Sequence, residues 1–198
     1  MGNQADRAAP GAASWPFGRL ILVKHGKPQI VEAEPRSSWP LSEEGRVAAR
    51  ALAAKLADLT PSRLFASPEI KAADTAREMG RLLDLAVEIV PDLGEHRADD
   101  KPFGTQAAFE ADVARLFAEP AALVMGEETG DAAYARFDAA MARIAPRVGE
   151  TALAVSHGRI ITLWLSRRLG VEPMAFWKRL GLATAVVVTA QGHGIVDP

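Results

Sequence analysis

The feature that most constrains this chain is a pair of apolar runs that each end in His-Gly. Leu20-Ile21-Leu22-Val23 leads through Lys24 into His25-Gly26, and Leu153-Ala154-Val155 leads through Ser156 into His157-Gly158. A short continuous apolar run followed by Gly reads as a strand buried on both faces, which requires cover above and below it. In open sheets of that kind, ligands bind beyond the carboxyl ends of the strands. Were the two runs neighbours, two imidazoles would meet at one sheet edge.

The rest of the chain alternates in the way such a sheet needs. Strands are predicted at 19–24, 63–66, 87–90, 151–155 and 184–189. Pro28, Pro35 and Pro40 bar a regular helix after the first of them. Ser42 then caps a helix with Glu43 and Glu44 in its first turn. Val47, Ala51, Leu52, Leu56 and Leu59 form its apolar stripe, and Thr60-Pro61 ends it. Ser67-Pro68-Glu69 opens a second helix with Pro at the first helical position, and Lys71 falls in its first turn. Further helices are predicted at 105–118 and 131–144. Another carries Ile160, Ile161, Trp164, Leu165 and Leu169 and stops at Gly170, and a short turn spans 173–177. Strand, helix, strand in sequence implies parallel crossovers. The expected fold class is α/β, a three-layer α/β/α sandwich around a mostly parallel sheet.

Residues 1–18 are rich in Ala, Gly, Pro and Ser and read as a flexible tail, with Trp15, Pro16 and Phe17 placed to pin its end. Residues 19–198 form one domain. Residues 93–130 break the alternation and read as a lid over one sheet edge. They carry a charged loop, Glu95-His96-Arg97-Ala98-Asp99-Asp100-Lys101.

Composition narrows the partners. The 198 residues carry a formal net charge of -2, so no field favours nucleic acid or an anionic membrane. No apolar run approaches the roughly 20 residues that cross a bilayer, and the first residues lack a signal-peptide core. A cytoplasmic location is the default. The absence of cysteine removes thiolate metal sites and a cysteine nucleophile. There is no Gly-x-Gly-x-x-Gly after a strand, no Walker A motif and no His-Glu-x-x-His, so neither cofactor nor metal is expected. His193, in a Gly-rich tail, reads as inert, and Asp99-Asp100 as a solvated pair. Trp164, Phe176 and Trp177 read as core or interface. A homodimer through Phe176-Trp177 or the last strand stays open.

A single strand-end histidine is more often structural than catalytic. Two in the same local pattern, each followed by a Gly that lets a ligand approach, point to chemistry. His157 also opens a helix, whose N–H groups attract anions and favour a neutral imidazole. Lys24 and Lys27 flank His25, and Lys71 follows the second strand. A lysine ending a buried strand is unusual as mere surface charge. Imidazoles with two or three ammonium groups suit a phosphoryl group: one imidazole attacks phosphorus and the cations spread the charge on its oxygens. The proton donor for the leaving oxygen is assigned by position to Glu95. His96 beside it is a candidate for the pocket mouth.

These pieces, in order, resemble the histidine phosphatase superfamily, the phosphoglycerate mutase-like branch 1. Lys24-His25-Gly26 stands where the family has Arg-His-Gly. Leu41-Ser42-Glu43-Glu44-Gly45 matches its Leu-Ser/Thr-x-x-Gly helix start. Ser67-Pro68-Glu69-Ile70-Lys71-Ala72-Ala73-Asp74-Thr75-Ala76 matches Ser-Pro/Asp-x-x-Arg-Ala-x-x-Thr-Ala. Leu93-Gly94-Glu95, Gly126-Glu127 and His157-Gly158 match the rest. The resemblance covers about residues 19–190. It implies that His25 is the nucleophile forming a phosphohistidine, that Glu95 is general acid and then base, and that His157 holds the phosphoryl oxygens. Lys24 and Lys71 take the two clamping arginine positions, and Gly26, Lys27, His96 and Gly158 are candidate pocket residues.

Two departures matter. Both clamp arginines are lysine, so charge is kept while the bidentate fork is lost. The Glu and Asn that follow His-Gly in the mutases are absent from Lys27-Pro28-Gln29-Ile30-Val31, which favours a phosphatase. The expected function is metal-independent hydrolysis of a small phosphomonoester. The alternative is a phospho-ligand binding protein of the same fold with little turnover.

Overall fold

The two His-Gly runs lie side by side. In the computed structural model, whose described residues are 15–98 and 104–198, β1 (Arg19–Lys24) and β4 (Thr151–Ser156) pair in parallel, with Arg19 opposite Thr151 and Lys24 opposite Ser156. Beyond β4 lie β2 (Arg63–Ala66) and then β3 (Val87–Ile89), also parallel. On the other side of β1, β5 (Ala185–Thr189) and β6 (Gly192–Val196) continue the sheet as an antiparallel hairpin. The six-stranded order is β3-β2-β4-β1-β5-β6.

Successive strand residues point to opposite faces, and both faces are covered. Ile21, Val23, Leu153 and Val155 pack against α1 (Glu43–Leu56) and α2 (Ile70–Leu83). Leu20, Leu22, Ala152 and Ala154 pack on the opposite side. There the cover is α3 (Gln106–Ala118), α4 (Gly130–Ile144), α5 (Gly158–Leu169) and α6 (Pro173–Arg179). These are the three layers that the apolar runs require.

Several local expectations are corrected. The last predicted strand is antiparallel to β1, and a sixth strand follows it. Gly192-His193-Gly194 lacks the apolar alternation of a strand, yet His193 pairs with Val188 in the edge hairpin. Such a strand is set by its partner, not by its own pattern. On α1, Val47 is 54% exposed; the buried stripe is Ala49, Leu52, Ala53 and Leu56. The helix after β2 begins at Ile70, and Glu69 is its extended N-cap residue. Pro68 therefore precedes the helix. The Ser67 hydroxyl accepts the Glu69 N–H at 3.2 Å, which keeps these residues in a turn outside the helix. The tail residues before Trp15, and Asp99-Asp100 with Lys101 in the charged loop, lie outside the described residues. Trp15 itself is buried, edge-on to Trp164 at 5.6 Å between centroids. Among the described residues, no helix is long and apolar enough to cross a membrane.

The start of α1 is tied to the loop after β1. Ser42 Oγ accepts the Gly45 N–H at 3.1 Å, and the Ser42 hydroxyl donates to the Lys27 carbonyl at 2.8 Å. The two backbones touch at paired glycines. A Cβ on Gly45 would lie 2.4 Å from the Lys27 oxygen, and one on Gly26 would lie 2.8 Å from the Gly45 oxygen. Helix propensity favours Ala over Gly by about 1 kcal/mol in an interior position. Here the contact with a backbone oxygen reverses the sign. Gly45→Ala is expected to destabilise the fold by about 1–3 kcal/mol, as overpacking does, read as a lower urea midpoint. An unchanged or higher midpoint would refute the close packing.

Candidate active site

Four strand ends converge. The helices after β1 and β2 pack on one face of the sheet and the helix after β4 packs on the other. The connections therefore part at the carboxyl ends, and such a switch point leaves a crevice. His25 follows β1, Glu69 and Lys71 follow β2, Glu95 follows β3, and His157 follows β4. All five line one cavity of about 800 Å³. The predicted lid supplies part of its wall through Glu95, His96, Phe109 and Glu127.

His25 and His157 meet edge to face, with ring centroids 5.1 Å apart. The Nδ1 of His25 lies 2.8 Å from the Gly26 carbonyl. A carbonyl only accepts, so Nδ1 carries the proton and Nε2 keeps its lone pair. The Gly26 N–H is held by Thr75 Oγ1 at 2.9 Å. Burial, then the proximity of His157 and Lys71, pushes His25 down to about 3. Burial and then Lys71 push His157 down to about 3 as well, with Glu95 opposing. Both imidazoles are neutral near neutral pH. His157 Nε2 lies 2.7 Å from Ser67 Oγ and 3.2 Å from Glu69 Oε1. Its Nδ1 is buried without a protein partner.

The two lysines are already anchored by backbone. Lys24 Nζ donates to the Leu180 carbonyl at 2.7 Å, and burial lowers its pKa while Glu95 opposes. Its stem passes close to Gly158, where a Cβ would lie 3.2 Å from Lys24 Cε. Lys71 Nζ donates to the Arg36 carbonyl at 2.8 Å and to Glu69 Oε2 at 2.5 Å.

Glu95 occupies the place that α5 offers to an anion. Its carboxylate accepts the N–H of Ile160 at 3.0 Å and of Arg159 at 3.2 Å, at the first turn of the helix, and the N–H of His96 at 2.9 Å. The Arg159 guanidinium lies 3.4 Å away. Burial alone would raise this carboxyl. Arg159, His157 and the backbone N–H groups outweigh it and hold Glu95 far below the ordinary carboxylate range. Glu95, expected from the sequence to be the proton donor, accepts these N–H groups in the resting geometry. The loop beneath it is fixed by Arg136, which donates to the carbonyls of Asp92, Gly94 and Glu95 and pairs with Glu128 at 2.7 Å.

The remaining candidates divide. His96 lines the cavity but is fully buried, its Nε2 2.7 Å from the Glu128 carbonyl. Gly158 lines the cavity, whereas Gly26 does not; its place is the packed contact with Gly45. Lys27 is a correction too. It stands off the cavity and pairs with Glu44 at 2.6 Å, both side chains more than half exposed. Trp177, read as core or interface, is half-buried in the cavity wall, 6.0 Å from the Phe109 ring. Sequence reading missed Glu69 and Arg159. The signals were adjacency: Glu69 is two residues before Lys71, and Arg159 is two after His157.

Comparisons with known proteins give the family and the fold. A family model described as the histidine phosphatase superfamily (branch 1) matches residues 20–196. Among solved structures, a mycobacterial glucosyl-3-phosphoglycerate phosphatase in complex with VO3 is 25% identical, covering 91% of this chain and 98% of its own, with a TM-score of 0.69. The α-ribazole phosphatase from Shigella flexneri shares the fold at 21% identity, covering 90% and 95%, with a TM-score of 0.64. The protein histidine phosphatase SixA complexed with tungstate shares it at 19% identity, covering 90% and 94%, with a TM-score of 0.53. No curated protein matches the chain.

The buried neutral histidines have a consequence for stability. Unfolding returns each to a pKa near 6.5, while the folded values are about 3. Between those limits the unfolded chain binds more protons, so stability present above pH 6.5 is lost as the pH falls. The urea midpoint is expected to drop between about pH 7 and about pH 5, and to drop less in His25→Asn/His157→Asn. An equal drop in both proteins would show that the histidines do not carry it.

Proposed function

The chain belongs to the histidine phosphatase superfamily (branch 1), and we propose that it hydrolyses a small phosphomonoester through a phosphohistidine on His25, without a metal. One observation carries the reading: His25 is held by the Gly26 carbonyl in the tautomer whose Nε2 is nucleophilic, in a cavity flanked by Lys24, Lys71 and His157. A neutral imidazole attacks phosphorus only with its unprotonated nitrogen. Burial keeps His25 in that form.

The other groups take complementary roles. Lys24 and Lys71 draw in the phosphoryl dianion and offset its charge. Placing that dianion beside His157 offsets the effect of Lys71 and favours the imidazolium, whose two N–H groups both donate. Glu95, whose carboxylate secures the first turn of α5 behind His157, serves as general acid for the leaving oxygen and then as base for water, the role that its Leu93-Gly94-Glu95 motif implies. The cavity is larger than a phosphate ion, and Phe109 and Trp177 give its outer wall an aromatic surface for the leaving group. A cytoplasmic site of action and a metabolite-sized substrate accord with this reading.

Hydrolysis of p-nitrophenyl phosphate should proceed unchanged in the presence of a chelator. His25→Ala should reduce it by at least about 1,000-fold, because the covalent route is removed. Calorimetric binding of inorganic phosphate with no turnover of any phosphomonoester would instead favour the binding-protein alternative.

A further inference from the structure

The cavity changes character away from its phosphoryl end. Phe109 on α3 and Trp177 on α6 line it, both half-buried, with ring centroids 6.0 Å apart and planes inclined at 59°. Two arginines tie that pair to the inner site. The Arg36 carbonyl accepts from Lys71 Nζ at 2.8 Å, and the Arg36 guanidinium lies 5.7 Å from the Phe109 ring centre. Arg159 lies 3.4 Å from the Glu95 carboxylate, and its guanidinium lies 5.8 Å from the same ring centre. Phe109 therefore stands next beyond the residues that meet the phosphoryl group and the leaving oxygen. A leaving group that extends outward from that oxygen runs along this wall.

Resting on the phosphomonoester reading, we propose that the leaving group is an alcohol bearing an aromatic ring, held against Phe109 and Trp177. Half-buried rings in a cavity wall leave apolar area for a ligand to cover, and covering it adds affinity in proportion to that area. The neighbours select the kind of ring. An aromatic ring gains from a second ring in an offset or edge-on arrangement, and from a guanidinium over its face. A saturated ring of similar size covers similar area without either gain. The Phe109–Trp177 pair is tilted, not stacked face to face, so a third ring can join it edge-on or face-on. The cavity, at about 800 Å³, holds a phosphoryl group and a ring together.

Phosphonates, whose P–C bond offers no leaving oxygen, read this subsite without turnover. Benzylphosphonate, phenethylphosphonate and phenylpropylphosphonate are titrated calorimetrically against their cyclohexyl counterparts and against ethylphosphonate. At least one aromatic member is expected to bind about three- to tenfold more tightly than its saturated counterpart. The same member should bind at least about tenfold more tightly than ethylphosphonate. Phe109→Leu and Trp177→Leu keep apolar bulk in the wall, and each should bring the aromatic-over-saturated ratio toward one. No preference in any pair, or a preference unchanged in both leucine variants, would overturn the assignment. Turnover of phenethyl phosphate keeps the two readings apart. Hydrolysis with no phosphonate preference removes the aromatic subsite alone. A preference with no hydrolysis keeps the subsite and overturns the phosphatase reading.

Discussion

The site depends on the register of β1 against β4. Lys24 opposite Ser156 leaves His25 and His157 as the next residues on adjacent strands. The His25 N–H then donates to the Ser156 carbonyl at 3.0 Å, and the Ser67 N–H donates to the Val155 carbonyl at 2.9 Å. The Ser156 hydroxyl donates to the Leu93 carbonyl at 2.7 Å, two residues before Glu95. One parallel pairing therefore positions the loops after β1, β2, β3 and β4 together. A slip of one residue would turn Leu20 and Leu22 away from α5 and onto the α1 face, so burial on both sides holds the register firmly.

Electrostatics within that frame is nearly self-contained. The imidazoles stay neutral because burial and neighbouring cations both oppose a proton. The cations are each given an oxygen: a Leu180 carbonyl for Lys24, an Arg36 carbonyl and the Glu69 carboxylate for Lys71, the Glu95 carboxylate for Arg159. Such pairing limits the desolvation penalty of charges buried in a cavity. An ammonium has three donors, so each lysine keeps a donor for a phosphoryl oxygen beside these partners. The Glu69–Lys71 and Glu95–Arg159 contacts are between two side chains, whereas the other partners are backbone carbonyls.

Much of this was legible from residues alone. The paired His-Gly runs, the helix start at Ser42 and the cap at Gly170 are local signals, and local signals survive folding. What was not legible depends on partners distant in sequence. β6 forms because β5 offers an edge, although its own Gly-His-Gly run argues against a strand. Trp177 faces a cavity only because α3 lies across from it. The position of Glu95 after a strand brings it to the site, but does not show the contacts that hold its carboxylate, which come from the α5 N-terminus and Arg159, more than sixty residues away in the chain. Ser67-Pro68-Glu69 reads in the sequence as a helix start, which puts Glu69 inside the first turn. As the extended N-cap residue, it instead turns its side chain toward Lys71 and His157.

Lysine in the clamp changes what can hold a phosphoryl group. A guanidinium presents a planar fork that binds an oxyanion bidentately, whereas an ammonium is a compact charge with three donors on a flexible stem. At Lys71 one donor is committed to the Arg36 carbonyl and another faces Glu69, and at Lys24 one is committed to the Leu180 carbonyl. The donors that remain can offset the charge of a phosphoryl group without fixing its orientation. In the proposed reaction that orientation falls to His157, whose Nδ1 is buried without a protein partner, and to the cavity wall.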